Sequence, residues 1–201
     1  MTALTVEKIN GYSKSIHEAN VARGWWDNKS RCLVEAAHLI CGEIHEGTEG
    51  ARKNLMDEHC PDFKNEDIEL ADALIRTLDL GGYLGLNHIG DMTDVVDTNL
   101  TDHLTNSSIG RIHFAAAYQA VAFAASVDNF VSGPVDADDN YIKHAVADLE
   151  YQYNVLIDTI ITVSKIRGYD IERSMTAKLA YNSVRPDHSR EARAAEHGKK
   201  F

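Results

Sequence analysis

Proline is scarce in this chain of 201 residues, occurring only at Pro61, Pro134 and Pro186. Proline removes a backbone donor and collides with the preceding helical turn, so the long intervals between these three are free to be helical. Ala, Leu, Ile, Glu and Asp dominate those intervals, which predicts an all-α protein. Cysteine is scarce too. Cys32, Cys41 and Cys60 are an odd number with no CxxC pair, which excludes a zinc ribbon and a disulfide scaffold and predicts reduced thiols. Positive charge is in deficit, with 20 Lys and Arg against 31 Asp and Glu and a formal net charge of -11. Such a surface argues against nucleic acid or an anionic membrane as partner, but not against a phosphate ligand bridged by a metal ion. No window approaches the 18 or so apolar residues of a membrane span, and "MTALTVEKINGYSKSIHEAN" has no apolar signal core. The expectation is a soluble, cytoplasmic protein.

Hydrophobic residues make up 44% and charged residues 25%, which suits one globular domain over 1–201. Helical patterning predicts a first helix over about Thr5–Arg23, ended by Gly24, and a second over about Lys29–Leu55, capped by Asp27 or Asn28. The third starts at Asn65 or Asp67 and stops at a glycine. Two long helices follow, about Ser108–Phe130 and Asp138–Ile166, and a shorter one covers Ile171–Asn182 before a polar basic tail. The chain thus divides into a first helical half (5–88), a middle (89–169) and a closing helix with tail (170–201).

On a helical wheel, Leu33, Ala36, Ala37, Ile40, Ile44, Gly47, Ala51 and Leu55 share one face of the second helix. Glu43 and Glu46 flank this seam, whereas Glu49 lies further round, on the solvated side. The third helix repeats the device with Glu69 and Asp72 beside Leu70, Ala71, Leu74, Ile75 and Leu78. Residues at i and i+3 are neighbours on a helix, so each pair is a double carboxylate patch. The loop between the helices is short, so they are expected antiparallel with the patches facing. Four facing carboxylates repel unless a hard cation lies between them, and Mg²⁺ or Mn²⁺ suits such oxygen donors. Asp79, on the face of Asp72, is either a further ligand or a partner of Arg76.

The stretches "LICGEIHEGTEGARK", "ELADALIRTLDLGGYLG", "KLAYNSVRP" and "HGKKF" resemble the MazG-like, all-α nucleoside triphosphate pyrophosphohydrolases, a superfamily that includes the dimeric dUTPases. The shared pattern is ExxE, a spacer (here 22 residues) and ExxD. It covers about residues 15–88 and 170–201, while 89–169 departs from the short single-domain form. The resemblance implies a MazG-like helical bundle that hydrolyses a (deoxy)nucleoside triphosphate between the α and β phosphates, giving the monophosphate and pyrophosphate. It implies Glu43, Glu46, Glu69 and Asp72 as ligands of Mg²⁺, with Mn²⁺ as a substitute, and either Glu46 or Glu43 as the base. Lys178 and Asn182 correspond to the family's triphosphate-binding KxxxN element. The resemblance also implies a homo-oligomer, and the "HGKKF" ending is like that of phage-encoded members acting in a host cytoplasm.

Other substrate contacts follow from position. Arg185 succeeds the KxxxN element, although a place before Pro186 also suits a surface residue. Arg52 and Lys53 end the second helix, where cations suit the helix dipole as well as a phosphate. Trp25 or Trp26 is a candidate wall for the nucleobase, as aromatics are in the family, or else a core plug. His17 is a candidate base or sugar contact. Lys199 and Lys200 reach such a site only if the tail folds back.

The middle of the chain has the look of a second copy. Aligning Gly85 with Gly168 puts Gln152 opposite Glu69 and Val155 opposite Asp72, and a looser alignment puts Gln119 opposite Glu43 and Ala122 opposite Glu46. A true repeat would have kept the helices and lost the acids, making the chain an internally duplicated pseudo-dimer. Three rivals compete. A di-iron carboxylate bundle has one ExxH, Glu35 to His38, but lacks its partner. An HD-type phosphohydrolase lacks any His-Asp dipeptide. A catalytically inactive helical interaction protein does not require the acid quartet.

Overall fold

The computed structural model describes residues 4–90 and 93–194 and is all-α. The helices are α1 (Val6–Ala22), α2 (Leu33–Lys53), α3 (Asn65–Leu84), α4 (Thr93–Leu104), α5 (Ile109–Val131), α6 (Asp139–Ile166), α7 (Ile171–Val184) and the short α8 (Arg190–Ala194). A single 3₁₀ turn, Pro186–His188, separates the last two. Among the described residues the only β pairing is an isolated bridge between Met56 and Lys64. None of these helices is long and apolar enough to cross a membrane. The "HGKKF" ending, with Lys199 and Lys200, lies outside the described residues.

Local chemistry sets most boundaries. Thr5, Ser108, Asp138 and Asp170 each cap a helix by accepting a bond from the backbone N–H three residues on. Gly85 closes α3 in the left-handed conformation, φ 71°. The second helix starts later than its pattern suggests. Asn28 accepts from the Ser30 N–H, so it organises a turn rather than capping a helix, and α2 begins after Cys32. Helix α4 escapes the sequence pattern altogether. Its "TDVVDTNLTDHL" is full of Thr, Asp and Asn, which are weak helix formers, and packing on α6 holds it.

Four helices close a ring of contacts: α2 on α3, α3 on α6, α6 on α5 and α5 on α2. Their inward faces build one continuous core from residues such as Ile40, Ile44, Leu74, Leu78, Phe123, Tyr153 and Ile157. The remaining helices pack outside. Helix α1 packs on α3, α4 packs on α6, and α7 leans mainly on α3. The contacts of a second triplet, α4, α5 and α6, therefore follow the pattern of a first, α1, α2 and α3. Gly85 and Gly168 hold equivalent left-handed positions after α3 and α6, φ 71° and 79°.

A buried carboxylate ties the halves together. Glu66, on α3, accepts from Arg167 Nε (2.6 Å) and Tyr169 Oη (2.5 Å) and hydrogen-bonds His113 Nε2 (2.8 Å) on α5. His113 in turn meets the Thr48 hydroxyl of α2. Burial alone would raise the Glu66 carboxyl, but its partners outweigh that and hold it at about 2.

Candidate metal centre

Helices α2 and α3 lie antiparallel and unusually close. A Cβ at Gly50 would sit 2.0 Å from Asn65 Oδ1, and one at Gly47 would touch the Glu69 Cβ at 3.3 Å. Small residues on α2 thus admit the acidic turn of α3. The result brings one carboxylate oxygen each from Glu43, Glu69 and Asp72 within 4.8 Å of one another. Glu43 and Glu69 are buried and Asp72 is half-buried.

Burial pushes the Glu69 carboxyl up to about 8, with Glu43, Asp72 and Glu46 adding repulsion and Lys178 opposing it. Glu43 is also raised by burial, although Arg76 works against the rise. Two cations answer the triad. Arg76 Nε meets Glu43 Oε1 at 2.5 Å, and the buried Lys178 Nζ meets Asp72 Oδ2 at 3.2 Å. Burial would lower the Lys178 ammonium, but Asp72 and Glu69 prevail and raise it. Asn65 Nδ2 donates to Glu69 Oε1 at 3.0 Å and orients it.

Glu46 is exposed and stands outside the group of three, yet close enough for its charge to act on Glu43 and Glu69. Glu49 lies on the solvated side, as its position on the wheel predicts, and ion-pairs with Arg52 and Lys53. That pairing occupies Lys53 with Glu49 at 2.7 Å, on the outer side of α2 and off the cleft.

Beside the triad lies a cleft with a cavity of about 120 Å³, lined by Asp72 of the triad and by Arg76, the counterion of Glu43. Four arginines line it: Arg23, Arg31, Arg76 and Arg185. Asn182 and Trp25 lie on its wall. Two polar atoms there are buried without a hydrogen-bond partner among the described residues, Asn182 Oδ1 and Arg31 Nε. Buried polar groups are nearly always satisfied, so an orphan acceptor and an orphan donor in one cleft point to a polar ligand. Arg185 is drawn to Asp187 at 2.7 Å and sits at the rim.

The two tryptophans part company. Trp26 stacks on Tyr83 with centroids 4.2 Å apart and carries the Arg31 guanidinium on its ring at 4.4 Å, while its N–H donates to Asp79. Both faces are covered, so Trp26 is a structural plug and Trp25 is the one left on the cleft. His17 is likewise engaged, hydrogen-bonding Asp79 Oδ1 at 2.9 Å. Asp79 also accepts from Asn20. It is therefore neither part of the carboxylate group nor a partner of Arg76, because three donors from α1 and the following turn reach it while Glu43 captures Arg76.

The structure thus brings together Glu43, Glu69, Asp72 and Lys178, with Asn182, Arg185 and Trp25 in the adjoining cleft. It leaves Glu46 at the edge and directs Lys53, Trp26 and His17 to other partners. Sequence reasoning missed Arg23, Arg31 and Arg76 as lining cations. The available signal was the spacing of Arg76 four residues after Asp72, on the acids' own face. Glu35 and His38, the single ExxH, are both exposed and outside the group. Compared with family models, with curated proteins and with solved structures, the chain matches none.

Three oxygen donors, two of them buried with carboxyls pushed upward, make a set whose repulsion a hard divalent cation would relieve. The donor chemistry therefore fits Mg²⁺ or Mn²⁺ and lacks the thiolate or imidazole that would favour softer ions.

Proposed function

We propose that this protein is a MazG-like, metal-dependent nucleoside triphosphate pyrophosphohydrolase, cleaving a (deoxy)nucleoside triphosphate between the α and β phosphates to give the monophosphate and pyrophosphate. The observation that carries the reading is the junction of a carboxylate triad with an arginine-lined cleft, on a chain whose net charge is -11. A cluster of guanidinium groups on an otherwise acidic surface is suited to phosphate oxygens.

In this reading Glu43, Glu69 and Asp72 hold Mg²⁺, or Mn²⁺ in its place. The bound cation supplies neutralisation of phosphate charge and acidification of an attacking water. Glu46 or Glu43 takes the water's proton; the exposure of Glu46 leaves its carboxylate available for that role. Lys178 neutralises Asp72 and offers its ammonium to the phosphates. Arg31, Arg76 and Arg185 neutralise the triphosphate, the Asn182 carbonyl oxygen accepts from a sugar or base donor, and Trp25 offers an aromatic face to the base. Such an enzyme acts on cytoplasmic nucleotide pools, those of a host cell for a phage-encoded member.

One observation favours a second reading. Arg76 and Lys178 already neutralise much of the triad, so the cluster also suits an inactive interaction protein in which the ion pairs are structural. A panel of the eight common NTPs and dNTPs, each with Mg²⁺ or Mn²⁺ and read out as pyrophosphate, separates the two. Pyrophosphate release from at least one nucleotide is expected. Absence of both turnover and saturable Mn²⁺ binding would leave the second reading standing.

A further inference from the structure

Helix α5 carries two seams. Its inner one, with Ile112, Ala116, Ala120, Phe123 and Val127, is buried in the bundle against α2 and α6. Its outer one consists of Arg111, Phe114, Tyr118, Val121, Ala125 and Asp128, all exposed. Phe114, Tyr118 and Val121 are 64%, 59% and 56% exposed, which is wasteful for side chains of that size. At 100° per residue the six fall within an arc of about 100°.

The outer seam has two properties beyond being apolar. Its residues are spaced 3, 4, 3, 4 and 3 apart, the heptad spacing of a helix that packs along its length on another helix. The order is also self-complementary when reversed. Laid antiparallel on itself, the seam sets Arg111 against Asp128, Phe114 against Ala125 and Tyr118 against Val121. Opposite charges meet at both ends, and a large side chain faces a smaller one in each layer between. A partner of different sequence would not require this symmetry, but a second copy related by a two-fold axis does.

Charge supports the same occupant. Two chains of net charge -11 repel each other, so contact needs a locally neutral strip, and this one holds a single residue of each sign. The bundle itself does not demand an apolar strip here. On α2, which takes the place of α5 in the first triplet, the corresponding outer positions are Glu35, His38, Gly42, His45, Glu49 and Arg52.

We propose that two copies of this chain associate through α5 packed antiparallel about a two-fold axis, with Arg111 of each copy opposite Asp128 of the other. Phe114, Tyr118 and Val121 form the apolar centre and the charged residues its rim. The carboxylate triad and its cleft play no part in this contact.

Sedimentation velocity of the full chain over a micromolar concentration series tests it. A dimer is expected. Tyr118→Asp, at the centre, should weaken association by about thirtyfold or more, the size of an interface hot spot. Arg111→Asp and Asp128→Arg should each weaken it by about tenfold, since two such pairs occur per dimer and each becomes repulsive. The double variant Arg111→Asp with Asp128→Arg should return to within about threefold of the original, because the swapped charges meet again. All these positions are exposed, so the helical circular dichroism should be unchanged. A chain that stays monomeric at about 100 μM, above the range of specific association, overturns the proposal. So does a dimer indifferent to Tyr118→Asp, which would place the contact elsewhere, or a double variant no better than the singles.

Discussion

The two helical triplets share a packing plan and differ in what they place at matching positions. Glu43, Glu69 and Asp72 meet between α2 and α3, whereas Gln119, Gln152 and Val155 occupy the aligned places on α5 and α6. Gln119 and Val155 line a cavity there together with Phe114, Tyr118, Tyr151 and Thr159, and that cavity is mostly apolar. Thr159 aligns with Arg76 and the buried Leu149 with Glu66. Where the acids are missing, their counterions are missing as well. A buried carboxylate cluster is tolerable only as a set with its cations, and such a set is present or absent as a whole. Part of the first set comes from outside the first three helices, because Lys178 belongs to α7, which leans mainly on α3. The second triplet carries instead an apolar outer face on α5, at positions other than those aligned with the acids.

The contrast breaks most sharply at the carboxylates. Glu43→Gln, Glu69→Gln or Asp72→Asn should each lower pyrophosphate release by about a thousandfold or more, the loss typical when a group acting in the transition state is removed, with the helical dichroism intact. Gln119→Ala and Thr159→Ala, at the aligned places of the second triplet, should leave turnover unchanged. Equal losses in both halves, or activity surviving in all three acid variants, would remove the functional distinction between them.

The next effect concerns the joint. Glu66→Gln should cost about 3 kcal/mol in urea unfolding, because Arg167, His113 and Tyr169 lose the charge they converge on. The folded-state value of Glu66 is depressed to about 2, so its stabilisation is complete above the ordinary glutamate range near 4.5 and is lost as pH falls through about 2. The variant's deficit should therefore shrink in acid, which unfolding midpoints at pH 2 and pH 6 would reveal.

The smallest effect sharpens the electrostatic half of the comparison. Glu69 is shifted the other way, up to about 8, so without metal it favours folding below the ordinary range near 4.5 and this contribution is lost as pH rises through about 8. A cation must displace that proton. Mn²⁺ affinity measured by calorimetry should thus rise by up to about tenfold per pH unit between pH 6 and 8, with proton release visible as a buffer-dependent enthalpy. Glu69→Gln should abolish that proton release.

Much of this arrangement is legible along the chain. The periodicity of α2 and α3 puts Glu43, Glu69 and Asp72 beside apolar seams, and the scarcity of proline together with the caps at Thr5, Ser108, Asp138 and Asp170 marks most helices. Gly85 and Gly168, aligned along the sequence, both take left-handed positions after their helices. Other features escape. Helix α4 has weak propensity and exists through contact with α6. Local spacing alone pairs Arg76 with Asp79, three residues on, but the close approach of α2 gives Arg76 to Glu43 and leaves Asp79 to α1. Nothing in "ARGWWDNK" says which tryptophan is covered. The stacking of Trp26 between Tyr83 and Arg31 decides it.

The sequence by itself determined the class of fold, the face of each helix and the presence of acids at helical spacing, because a helix's period is local and fixes the direction of every side chain about its own axis. Only the tertiary structure decided which carboxylates meet, which cation each receives and how far their protons are held. Those outcomes depend on the distance between helices, which Gly47 and Gly50 set by letting α2 and α3 close, and on burial, which no single stretch of chain contains.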